Sequence, residues 1–115
     1  MPILIVKTKP VLGSEEQYND WYDAQHLPEM LAVPGFVAAR RYRKSVTQSA
    51  GNTAAADDPL EYLAVYEIEG DPTVALENLV TAVRGGRIHM SPAKAPEQFA
   101  IVYDELGDWT RSDNA

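Results

Sequence analysis

The segment Leu60 to Glu69 constrains the fold more than any other, because it alternates as a strand yet is apolar in both directions. Leu60, Tyr62, Ala64, Tyr66 and Ile68 form one face; Glu61, Leu63, Val65, Glu67 and Glu69 form the other, with acids only near the ends. Such a strand belongs in the interior of a sheet, with something covering each face. The opening run Pro2 to Thr8 has the same character, is rich in β-branched residues, and stops at the turn signal Lys9-Pro10-Val11-Leu12-Gly13.

Between these two strands the period changes. Ser14 stands three residues before Gln17, the spacing at which a hydroxyl and a returning amide cap a helix start. Tyr18, Trp21, Tyr22 and Gln25 then share one side, with His26 a turn beyond Tyr22, so an aromatic stripe points inward. Pro28 disfavours helical geometry at Leu27, which predicts a bend at His26 and a short second piece over residues 28 to 32. Val33-Pro34-Gly35 closes the helical region. Phe36 to Lys44 reads as the second strand, with Phe36, Ala38, Arg40 and Tyr42 on one face. Residues 45 to 59 show no periodicity, and a connection of that length is either functional or mobile. After the third strand, Asp71-Pro72 starts a helix whose Leu76, Leu79, Val80 and Val83 repeat inward until Gly85-Gly86. Phe99 to Tyr103 is the fourth strand, and the tail from 107 to 115 is polar except for Trp109.

The order β-α-β-β-α-β predicts an α+β fold of the ferredoxin-like kind, a four-stranded antiparallel sheet with two main helices on one face and strands one and three at its centre. At 115 residues the chain is one domain, 1 to 115. The helix-free face is left bare although its centre is apolar, so a second copy is the economical cover and a two-fold homodimer is expected. A net charge of −7 argues against nucleic acid, which needs clustered cations. The Arg40-Arg41-Tyr42-Arg43-Lys44 run reads as a strand with a solvated face. No segment suits a bilayer span or a signal peptide, and no cysteine is present, so a cytoplasmic protein is expected.

Without cysteine, acid-base chemistry near pH 7 falls mainly to His26 or His89. His26 is either a catalyst on an aromatic wall or a packed structural residue, with Asp23, Tyr22 and Glu29 in reach to orient its ring. His89 follows a helix terminus, where polar residues are commonplace. Arg40 and Arg87 suit a carboxylate or an enolate-like oxygen, or are surface cations. Tyr18, Tyr62 and Tyr66 either line a pocket or are core residues with polar tips. No third ligand joins His26 and Glu29 at a metal-site spacing, and no cofactor fingerprint is present, so neither metal nor cofactor is expected.

Trp21-Tyr22, His26-Leu27-Pro28-Glu29, and Pro34-Gly35 leading into Arg40-Arg41-Tyr42 together resemble the EthD-like proteins of the dimeric α+β barrel superfamily. The likeness carries over residues 3 to 44 and is topological over 60 to 105. It implies a pocket between helices and sheet for small aromatic or lactone-like compounds, cofactor-free chemistry, and a helix-one histidine matching His26. Three functions follow: a cofactor-independent lyase or isomerase acting on an aromatic, polyketide-like or other carbonyl compound with His26 moving a proton; a non-catalytic binding or accessory protein; and a cofactor-free monooxygenase.

Overall fold

The computed structural model describes residues 1–114, so the last residue of the tail expected over 107 to 115 lies outside the described residues. Its elements are β1 (Ile3–Thr8), α1 (Glu15–Trp21), a π-helical turn (Tyr22–His26), α2 (Leu27–Leu31), β2 (Phe36–Arg43), α3 (Thr53–Asp57), β3 (Tyr62–Ile68), α4 (Pro72–Arg84) and β4 (Phe99–Tyr103). The strands form one sheet in the order β2-β3-β1-β4, every neighbouring pair antiparallel. This is the ferredoxin-like arrangement, with the two strands that are apolar on both sides at its centre.

Register decides which side of each strand meets the helices. Leu4 lies opposite Tyr66 and Thr8 opposite Tyr62. All four are buried, in line with Ala64 and Ile68. They pack with Tyr18, Trp21, Tyr22 and Met30 from the helical layer into one core. The alternate residues Ile3, Ile5, Leu63 and Val65 point to the side without helices, joined there by Ile101 and Tyr103 across the β1–β4 register.

In β2 the expected face is reversed. The register slips between Phe36 and Ala38, a bulge that leaves Val37 unpaired, so Ala39 opposes Tyr66 and Arg41 opposes Ala64. One extra residue inverts everything after it. Phe36, Ala39 and Arg41 therefore face the helices, whereas Ala38, Arg40 and Tyr42 face the open side.

The helical layer also departs from expectation. Ser14 precedes α1 but its hydroxyl makes no capping bond. Pro28 does not interrupt helical geometry: Leu27 keeps it (φ −60°, ψ −48°), and the wider π turn ending at His26 runs directly into α2, the short second piece expected over residues 28 to 32. Proline cannot donate to the carbonyl four residues back, and a locally widened helix accommodates that missing bond. On α4 the Asp71 side chain accepts from the Thr73 N–H at 2.9 Å, as its N-cap position requires. The helix, however, turns Ala75 and Ala82 inward and leaves Leu76, Val80 and Val83 exposed. The reason lies at Gly35, whose φ of +105° and lack of a side chain let α4 come close; a Cβ there would sit 2.7 Å from the Ala75 Cβ. Small residues must occupy that contact, and the larger apolar stripe rotates outward.

The 45 to 59 connection contains α3, capped by Asn52, whose side chain accepts from the Ala55 N–H. It is tied to the sheet by the Lys7–Asp58 ion pair and by Lys44, whose ammonium donates to the Ala55 and Asp58 carbonyls at 2.9 and 2.7 Å. No helix among the described residues is long and apolar enough to cross a membrane.

Candidate functional site

The aromatic stripe of α1 and the π turn meets β2 and β3 in a packed polar cluster of the core. Tyr18, Tyr22 and Tyr62 surround the Arg41 guanidinium, which lies 5.6, 4.3 and 5.5 Å from their ring centres. Cation–π attraction to three phenol faces offsets part of the cost of taking this charge out of water. Arg41 also donates from Nη2 to Asn19 Oδ1 at 2.7 Å and from Nη1 to Asp23 Oδ1 at 2.8 Å, bracing β2 against the helix. Around it the hydroxyl of Tyr18 bonds that of Thr8, and Tyr62 donates to the Glu15 carboxylate. Burial pushes the Tyr18 phenol up to about 12, and raises those of Tyr22 and Tyr66 as well, so all three stay protonated donors at neutral pH. The Tyr66 hydroxyl is enclosed with no hydrogen-bond partner among the described residues.

His26 closes this cluster on the helix side. Its ring stacks on Trp21 at 4.6 Å and meets the Tyr22 ring edge-on at 4.9 Å. Only 8% of the residue is exposed. Burial lowers its pKa to about 4, opposed by the nearby Glu29 carboxylate and reinforced by the charges of Lys94 and Arg41. The imidazole is therefore neutral at physiological pH. Among the described residues its Nδ1 has no hydrogen-bond partner, so neither Asp23, Tyr22 nor Glu29 orients the ring through that enclosed atom.

Two candidates expected here lie elsewhere. Arg40, carried outward by the bulge, lines an open concavity of about 820 Å³ on the helix-free side of the sheet, together with Tyr42, Leu63, Val65, Tyr103 and Trp109. Arg87 lines a groove of about 500 Å³ between α2 and α4, with Glu29, Pro34 and Asn78. His26 lines neither.

His89 also belongs to a brace. Its backbone N–H and ring Nδ1 meet the two Glu29 oxygens at 2.8 and 2.5 Å, and its carbonyl accepts from Trp21 Nε1 at 2.9 Å. Through these bonds the segment after α4 holds Trp21 flat against His26. Among the described residues no three metal-ligating side chains converge.

The chain aligns with two solved structures over nearly its whole length. HapK from Hahella chejuensis matches with a TM-score of 0.56 at 16% identity, over 97% of this chain and 99% of that one. An ethyl tert-butyl ether (EthD) family protein from Bacillus halodurans matches with a TM-score of 0.51 at 10% identity, over 92% and 100%. The fold is EthD-like. No protein-family model and no curated protein matches the sequence. At these identities the likeness is one of architecture, and the site has to be read from its own residues.

Within this EthD-like frame, Tyr18, Tyr22, Asp23, His26, Tyr62 and Tyr66 all belong to the helix–sheet cluster. Sequence reasoning passed over its centre. Arg41 sits beside the chosen Arg40, and only the bulge at Val37, which no local motif announces, puts it inside. Trp21 and Thr8 were readable as inward-facing residues from the helical and strand periods.

Proposed function

We propose that this protein is a small cofactor-independent lyase or isomerase acting on an aromatic, polyketide-like or other carbonyl-containing metabolite, with His26 as the group that moves the proton. The observation that carries this reading is the setting of His26: an imidazole packed against Trp21 and Tyr22, with an enclosed nitrogen that has no hydrogen-bond partner among the described residues. A neutral imidazole accepts a proton. With its pKa lowered to about 4 the ring is a weaker base than a free imidazole, so proton transfer in this reading depends on donors that stabilise the charge developing on the substrate. Arg41 and the phenols of Tyr18, Tyr22 and Tyr66 supply donors for the negative charge that develops on a carbonyl oxygen.

The active form in this reading is a cytoplasmic homodimer closed through the helix-free sheet face. That face carries Ile3, Ile5, Leu63, Val65, Ile101 and Tyr103. Covering large apolar side chains is worth about 1.5–3 kcal/mol each. Several of them on each copy are enough to offset an association cost of about 4–15 kcal/mol.

Native mass spectrometry of freshly purified protein tests the proposal. The expected result is a dimer mass with a bound small molecule that leaves on denaturation, and turnover of that compound that falls about 100- to 10,000-fold in His26→Ala. Unchanged turnover in the variant overturns it. A bound compound that neither protein converts favours the second reading, a binding protein that sequesters its ligand in the same cluster.

A further inference from the structure

The Arg41–Asp23 ion pair is lopsided. Arg41 is fixed: only 14% of its side chain is exposed, Asn19 holds Nη2, and three rings pack around the guanidinium. Asp23 is not, since its side chain is 65% exposed and Arg41 is the only hydrogen-bonding partner found for it among the described residues. Releasing an exposed carboxylate into water costs little, whereas a partly buried guanidinium needs an anion beside it.

We propose that this is an exchangeable pair, in which a carboxylate of the ligand displaces Asp23 from Arg41, making the protein selective for acidic small molecules. The proposal rests on reading the helix–sheet cluster as the ligand site, and it names the substrate class of that site. An arginine offers five N–H donors in a planar fork, and only two contacts are used here, so a carboxylate arriving at Nη1 meets a receptor already built for two parallel bonds. The neighbouring groups agree in sign. The phenols of Tyr18 and Tyr22 remain protonated beside Arg41 and do not compete as anions, while Glu15 is engaged by Tyr62. Asp23 keeps the guanidinium neutralised when no ligand is present.

Benzoate is the probe, titrated at low ionic strength into the full protein and followed by backbone amide NMR, with benzamide as the neutral control. Benzoate shifts the amides around Arg41 and Tyr22; benzamide does not. Asp23→Asn removes the competing charge from a solvent-facing position without touching the core, and it tightens benzoate binding about two- to fivefold, the range expected for freeing a partner from an exposed ion pair. Arg41→Leu weakens benzoate at least about tenfold, and Arg41→Lys, which keeps the charge but loses the fork, falls between them. Circular dichroism confirms that each variant is folded.

Equal affinity in Asp23→Asn and the native protein overturns the proposal. So does benzoate binding that survives Arg41→Leu, or shifts confined to surface lysines. The readout is affinity for a carboxylate and not turnover, so its failure leaves proton transfer by His26 to be judged by its own experiment.

Discussion

Acidification probes the buried histidine through stability. In the unfolded chain His26 titrates near 6.5, and in the fold burial lowers it to about 4. As pH falls below 6.5 the unfolded state takes up a proton that the folded state refuses, so stability is lost until the folded pKa is reached. The linkage relation gives a loss of about 2 kcal/mol between pH 7 and 5, rising toward about 3 kcal/mol near pH 4. The carboxyls of Glu29 and Asp58, held low by the bonds they accept, also withdraw stability on acidification, but only below their unfolded values of 4.5 and 3.8. The window from pH 5 to 7 therefore isolates histidine. The assay is urea denaturation of the native protein and His26→Gln at one fixed protein concentration, because the stability of the proposed dimer would depend on concentration. The difference between the two curves cancels what they share. The native protein loses about 2 kcal/mol more than the variant across the window; parallel curves, within about 0.5 kcal/mol, refute a buried neutral His26.

Gly35→Ala places a Cβ 2.7 Å from Ala75 in a backbone conformation that side chains rarely adopt, and costs about 2 kcal/mol or more in urea denaturation. A loss below about 0.5 kcal/mol means that α4 does not depend on that close approach. Asp71→Ala removes the α4 cap and costs about 1 kcal/mol, read the same way. Ile101→Glu puts a charge in the helix-free sheet face, so size-exclusion with light scattering reports a folded monomer where the native chain gives a dimer. A native chain that is already a monomer at micromolar concentration contradicts the sheet-face assembly.

The legible part of this chain was what local periodicity controls. The alternation of Leu60 to Glu69 marked β3 as interior, the Asp71-Pro72 start and Gly85-Gly86 stop bounded α4, and the spacing of Tyr18, Trp21 and Tyr22 marked the inward side of α1. Illegible were the features decided by contact between distant segments. Nothing in residues 36 to 44 announces that Val37 is looped out, yet that slip exchanges Arg40 for Arg41 at the centre of the site. The outward turn of Leu76, Val80 and Val83 follows from Gly35, some forty residues earlier. Pro28 read as a break because local rules penalise helical geometry before proline, and the π turn absorbs that penalty through backbone rearrangement, which leaves no mark in composition. His26 was found as a residue. Its neutral state comes from burial against Trp21, which His89 and Glu29 hold in place from afar.

The central claim is that His26 transfers a proton to and from a bound carbonyl compound, and hydrogen exchange measures that step directly. The compound that co-purifies is incubated in deuterium oxide with native protein and with His26→Gln, and deuterium at the C–H next to its carbonyl is followed by mass spectrometry. The native protein washes deuterium in, and the variant does so about 100- to 10,000-fold more slowly while still binding the compound. Equal wash-in by both proteins contradicts the claim.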